Sequence, residues 1–256
     1  MDEAYQVYVN RVARMTLPAT YETQLQHIQK SPKFEKGKAV PFPGYSAIAP
    51  PAEEDSHNSA FYSHLETIQQ QLVEQLSGLL IPIPAPSFHL TVADLIWDNT
   101  YQVSVSENPN FDRQLHKCIE ESFENYRQIA PKGSTSQLQL MGLMLLPRAL
   151  TVALVPKNES DYEKILQLRR AIYQNSNLIA LGIEQQYYFT GHITLGYFGE
   201  IPADLDRDRI CRLLSAFNDR WLEIEPQILT IHQVQLRKFE DMTSYKREPH
   251  WPIVEI

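Results

Sequence analysis

Two stretches decide the reading: SFHLTVADL (residues 87–95) and QYYFTGHITLGYFG (residues 186–199). Each alternates apolar and polar residues, the mark of a β-strand with one covered face. In the first, Phe88, Leu90 and Val92 point one way, and Ser87, His89, Thr91 and Ala93 the other. In the second, Phe189, Ile193, Leu195 and Tyr197 share a face, and Tyr188, Thr190, His192, Thr194 and Gly196 share its opposite. Each polar face thus presents a His and, two residues on, a Thr. A strand covered on both sides would instead be apolar throughout.

The surroundings repeat on a larger scale. A short apolar run at Tyr45–Ala49, punctuated by Pro and Gly, reads as a strand. Phe61, Leu65, Ile68, Leu72 and Leu76 recur at helical spacing, with Ser59 as the expected N-cap and Gly78 as the stop. A second helix is expected over 109–129, ended by Pro131 and Gly133. Strands 137–146 and 149–156 form a hairpin across Pro147 and Arg148. Helices over 159–175 and 203–218, a strand over 228–236 and an edge strand in the tail complete the chain. In each half a helix leads into a His-x-Thr strand and a second helix follows. This imperfect duplication predicts an α+β fold of two lobes: two pseudo-symmetric sheet layers, helices on their outer faces, and a cleft between the sheets. Residues 1–40 are polar and read as an N-terminal extension with a short helix or two. The bilobed body covers 41–256, with the chain exchanging lobes near 95–135 and 200–225.

Composition narrows the function. The chain has 256 residues, 43% of them hydrophobic and 21% charged, with a formal net charge of -8. That balance opposes binding of long nucleic acid, which needs Lys and Arg to displace counterions. It leaves room for a small anion in a local pocket. Cys118 and Cys211 are far apart, fall in helical segments and read as buried thiols of a reducing compartment. No apolar run reaches membrane-span length and no signal peptide is evident, so a cytoplasmic protein is expected, and a monomer is expected as well. No glycine-rich phosphate loop occurs, which argues against nucleoside triphosphate hydrolysis.

Eight histidines would give about one His-x-Ser/Thr by chance. There are three. His57-Asn58-Ser59 lies in an acidic loop and reads as the accidental one. The other two sit on matching strands in matching halves. The absence of His-x-His or His-Glu-x-x-His spacing argues against a metal centre. His232 reads as structural. Tyr45 and Ser46, Tyr188 and Thr190 are candidate cleft-lining residues, and Tyr245 a candidate for stacking on a base. Arg148 at the hairpin tip reads as a solvated charge.

HLTV at 89–92 and HITL at 192–195, the latter preceded by Gly191 and followed by Gly196-Tyr197-Phe198, resemble the paired motifs of the two-histidine (2H) phosphoesterase superfamily. That group includes RNA 2',3'-cyclic phosphodiesterases and 2'-5' RNA ligase-like proteins, and the chain looks most like a poorly characterised bacterial branch. The first motif departs from the pattern after its core, at Ala93-Asp94. The resemblance covers roughly residues 41–240. It implies a bilobed fold with a pseudo-two-fold axis, no metal or other cofactor, and His89 and His192 as catalytic residues, with a lean to His192 as base and His89 as acid.

The side chains support the same chemistry independently. Imidazole titrates near neutrality, so one ring can take a proton from water while the other gives one to the leaving oxygen. The hydroxyls of Thr91 and Thr194 can donate to the phosphate oxygens. The expected substrate is a 2',3'-cyclic phosphate or another small nucleotide or RNA-end phosphodiester. The alternative is a module that binds such a phosphate without turning it over.

Overall fold

The computed structural model describes residues 2–130, 133, 135–221 and 223–256. The chain opens with helices α1 (Tyr5–Met15) and α2 (Pro18–Gln24) and a small ribbon, β1 (Phe34–Glu35) and β2 (Lys38–Ala39). Strand β3 (Gly44–Ile48), helix α3 (Ser59–Gln75), and strands β4 (Leu80–Pro82) and β5 (Thr91–Trp97) follow. Helices α4 (Asp98–Glu107) and α5 (Phe111–Ile129) lead to the hairpin β6 (Ser136–Leu146) and β7 (Ala149–Pro156). Then come α6 (Glu159–Tyr173), α7 (Ser176–Ala180), β8 (His192–Phe198) and α8 (Arg207–Trp221). Three strands end the chain: β9 (Ile228–Ile231), β10 (Gln233–Phe239) and β11 (Ile253–Glu255).

Two antiparallel sheets result, as the α+β reading expects. One has the order β11-β10-β3-β5, the other β4-β8-β7-β6-β9. Thus β5 and β8, the two His-x-Thr strands, lie in different sheets. Strand β7 is buried at every position because the centre of the larger sheet is covered on both faces. Helix α5 turns Phe111, Leu115, Ile119, Phe123 and Tyr126 inward at helical spacing. Each such side chain contributes about 1.5–3 kcal/mol when fully buried. Helix α6 packs against both β5 and β6 and so spans the two sheets. No helix among the described residues is long and apolar enough to cross a membrane.

The details correct several expectations. Ser59 is the first helical residue rather than the cap. The preceding Asn58 spends its amide on β9, donating to the Thr230 carbonyl at 2.8 Å and accepting from the Thr230 amide at 2.9 Å. Helix α4, in a stretch read as a connection, packs Tyr101 inward. The expected strand 228–236 is two strands. It breaks at His232, where the chain leaves the larger sheet for the smaller. Strands β8 and β9 belong to the larger sheet, on which α8 also packs, and the chain passes to the smaller sheet between β9 and β10. After β5 the chain runs through α4 and α5. The terminator assigned to Pro131 lies outside the described residues.

Part of the N-terminal segment belongs to the core. Tyr8, Val12, Tyr21 and Leu25 are buried. Tyr21 donates to the Leu143 carbonyl at 2.6 Å and accepts from the Asn218 amide at 2.7 Å. Asn218 also accepts from the Leu143 amide at 2.8 Å. This contact requires Gly142, whose φ of +133° marks a bulge in β6 and whose missing Cβ would lie 2.9 Å from the Asn218 side chain.

Candidate active site

A cavity of about 590 Å³ opens between the two sheets, and His89, Thr91, His192 and Thr194 all line it. The two histidines are held alike. His89 Nδ1 lies 2.8 Å from the carbonyl of Ser87, and His192 Nδ1 lies 2.7 Å from the carbonyl of Thr190. A carbonyl only accepts, so each Nδ1 carries the hydrogen. Each Nε2 is left for the cavity, as a base when neutral and an acid when protonated. His89 lies two residues ahead of β5 and His192 is the first residue of β8, and each ring turns back to the carbonyl two residues before it. Before β5, Ala85–Ser87 form a 3-10 turn; before β8, residues 188–191 are irregular.

Beyond each Thr, the strand slips by one residue. Opposite β3, Thr91 pairs with Ile48 and Ala93 with Ala47, leaving Val92 as an extra residue. Opposite β7, Thr194 pairs with Thr151 and Gly196 with Leu150, leaving Leu195 extra. Each bulge shifts the alternation, so the next residue to reach the cavity is five, not four, beyond the His. That residue is Asp94 in one strand and Tyr197 in the other, and both line the cavity. A second slip at Leu95 brings Trp97 to the same wall. The duplicated pattern is therefore His-x-Thr-x-x-Asp in one half and His-x-Thr-x-x-Tyr in the other.

The electrostatics follow from burial. Removal from water disfavours the charged imidazole, and His89 is held down to about 4 from its ordinary 6.5. The bond to Ser87 and the Asp94 carboxylate pull it back up, while His192 pushes it further down. Burial lowers His192 as well, against the bond to Thr190 and the attraction of Asp94, with Lys33 adding to the downward push. The ring of Tyr245 lies 4.0 Å, centroid to centroid, from that of His89. Asp94 is engaged at both oxygens. Ser46 donates to one at 3.0 Å and the Tyr187 hydroxyl donates to the other.

Residues far away in sequence brace the approach to His192. Arg11 on α1 donates to the Thr190 hydroxyl at 2.9 Å and the Phe189 carbonyl at 2.7 Å, and is paired with Glu3. Tyr8 accepts from the Gly191 amide at 3.0 Å and donates to the Leu154 carbonyl at 2.9 Å. Gly191 must lack a side chain, since a Cβ there would meet the Leu154 carbonyl at 2.8 Å. On the other side, the buried Arg169 guanidinium donates to the carbonyls of Val92 and Tyr187, tying β5 to the segment that enters β8.

Of the residues singled out in the sequence, His89, His192, Thr91 and Thr194 come together, and Ser46, Tyr245 and Arg148 line the same cavity. Tyr45, Tyr188 and Thr190 do not reach the cavity. Tyr45 points to the far side of β3, where it is buried and donates to Asp112 at 2.9 Å; its neighbour Ser46 faces the cavity. Tyr188 is 44% exposed because the strand has not yet begun there. Thr190 is turned to Arg11 and supports His192 through its carbonyl. Asp94, Trp97, Tyr187, Tyr197 and Lys33 line the cavity without having been picked out as candidates. Only the matching five-residue offset after each His could have marked Asp94 and Tyr197. Among the described residues, no group of three His, Cys, Asp or Glu side chains is arranged to hold a metal ion.

No protein-family profile matches the chain, and no curated protein matches it in sequence. Similar solved structures exist. A conserved protein of unknown function, ATU0111 from Agrobacterium tumefaciens, aligns over 89% of this chain and 96% of its own length, with a TM-score of 0.61 and 16% identity. LigT from E. coli aligns over 85% and 99%, with a TM-score of 0.43 and 14% identity. TT0787 of Thermus thermophilus aligns over 75% and 86%, with a TM-score of 0.42 and 17% identity. The likeness to ATU0111 is one of fold.

Proposed function

We propose that this chain is a metal-independent phosphoesterase of the two-histidine type, opening 2',3'-cyclic phosphates or short nucleotide phosphodiesters by paired acid–base catalysis. One observation carries the reading. Two imidazoles, one just ahead of β5 and one opening β8 in the other sheet, line one cavity, each fixed through Nδ1 to the carbonyl two residues back and each followed two residues on by a Thr that lines the cavity too. With both rings pinned, one Nε2 removes a proton from water as it attacks phosphorus. The other protonates the departing ribose oxygen. The Thr hydroxyls donate to the non-bridging oxygens, whose charge grows as the fifth bond forms.

Burial keeps both rings neutral in the empty cavity. An incoming phosphate anion favours the protonated form of a ring beside it, so the general acid is charged by the arrival of its substrate. The net charge of -8 suits a small anionic substrate better than a long strand.

The test is turnover of a panel of 2',3'-cyclic nucleotides by purified protein in excess chelator. Opening to a single nucleoside monophosphate, with loss of at least about a hundredfold in His89→Ala and in His192→Ala, supports the proposal. No turnover of any member overturns it. Tight binding without product would instead make the chain a phosphate-binding module.

A further inference from the structure

The side chain of Lys33 lines the same cavity, although Lys33 belongs to neither His-x-Thr half. Its ammonium lies 4.6 Å from the centroid of Phe42 and 5.0 Å from that of Tyr197, and 3.4 Å from the Tyr197 hydroxyl. Among the described residues no carboxylate lies within 4 Å of it. The acid that shares the cavity, Asp94, is already held by the hydroxyls of Ser46 and Tyr187. A half-buried ammonium resting on two aromatic faces keeps hydrogen-bonding capacity to spare, since rings attract its charge but accept no strong hydrogen bonds. Its position is also set. The short ribbon β1–β2 follows directly, and the Lys33 amide donates to the Ser31 hydroxyl at 3.2 Å while its carbonyl accepts from Val40 at 3.1 Å. Arg148, the other cation at the cavity, is exposed and reaches Gln29 at 3.4 Å, so it marks the rim.

We infer that Lys33 is a substrate-binding residue, whose ammonium contacts a non-bridging oxygen of the phosphate bound between His89 and His192. This inference rests on the proposed phosphate site and adds a third, cationic contact to the two Thr hydroxyls. The segment before residue 41 would then be part of the site rather than an accessory to it: α1 braces the approach to His192, and Lys33 supplies charge. Tyr197, at the five-residue offset after His192, positions that ammonium.

The experiment is a titration of the purified protein with inorganic phosphate, read by calorimetry and by the imidazole resonances of His89 and His192. Wild type, Lys33→Gln and Lys33→Arg are compared. Loss of a charge-assisted contact predicts affinity weaker by about ten- to a hundredfold in Lys33→Gln, with partial recovery in Lys33→Arg. The Lys33→Gln effect should also flatten the dependence of affinity on ionic strength, which loss of packing alone would not do. Unchanged phosphate affinity in folded Lys33→Gln overturns the inference. If phosphate moves neither imidazole in wild type, the underlying site reading fails instead, so the two failures are distinct.

Discussion

Replacing His89 by Asn removes a titrating ring but keeps an N–H able to reach the Ser87 carbonyl. The folded chain holds His89 at about 4, whereas the unfolded chain holds it at the ordinary 6.5. Between those values the unfolded state binds the proton more readily. Stability from this group is therefore complete above pH 6.5 and is lost as the pH falls towards 4. At about 1.4 kcal/mol for each pH unit of displacement, the full loss is about 3 kcal/mol. Denaturant unfolding of wild type and His89→Asn at intervals from pH 7.5 to 4 isolates it. The variant carries a constant cost of its own, but its stability should fall less steeply with acid. The gap between the two proteins should shrink or reverse by about 3 kcal/mol across the window. Saturating phosphate should reduce the shift, because an anion in the cavity lets the folded state accept the proton. Parallel stability curves in the absence of phosphate would refute the claim that burial keeps His89 neutral.

Other consequences are accessible to simpler assays. Gly191→Ala forces the backbone away from the Leu154 carbonyl just ahead of His192. Steady-state kinetics should show kcat reduced by about ten- to a hundredfold with a smaller change in KM. Tyr45→Phe removes the hydroxyl from Asp112 on the far side of β3, so it should cost about 1–2 kcal/mol in denaturant unfolding and leave turnover unchanged. Because the free rings are neutral, kcat/KM should fall as the pH rises through neutrality while kcat holds to higher pH; pH–rate profiles test this. Phosphate binding near pH 7 should be accompanied by proton uptake, visible as a buffer-dependent binding enthalpy.

The strands and helices were legible where period and composition agree, as in the apolar run of β7 and the inward stripe of α3. The core of the site was legible because a residue and its second neighbour share a face of a strand, which makes His89 with Thr91 and His192 with Thr194 natural pairs. Alternation stopped being a guide once a bulge intervened. Val92 and Leu195 each add a residue to their strand, so strict parity places Ala93 and Gly196 on the polar face while the cavity receives Asp94 and Tyr197. Nothing in the side chains of Val or Leu announces a bulge. Parity also extended β8 too far back, which drew Tyr188 and Thr190 into the site. On β3, either face fits a strand covered on both sides, and only its pairing shows that Ser46, not Tyr45, looks inward. Lys33 and Arg11 reach the site from the N-terminal segment, a contact between distant parts of the chain that no local pattern encodes.

The proposed pairing of His89 and His192 in one proton-transfer device is examined directly by a double-mutant cycle. Opening of a 2',3'-cyclic nucleotide by His89→Ala, His192→Ala and the double variant should show that the double loses little more than the worse single, because either deletion already breaks the relay. Losses that multiply, or a single variant that retains near wild-type turnover, would show that the two rings do not serve the same phosphate.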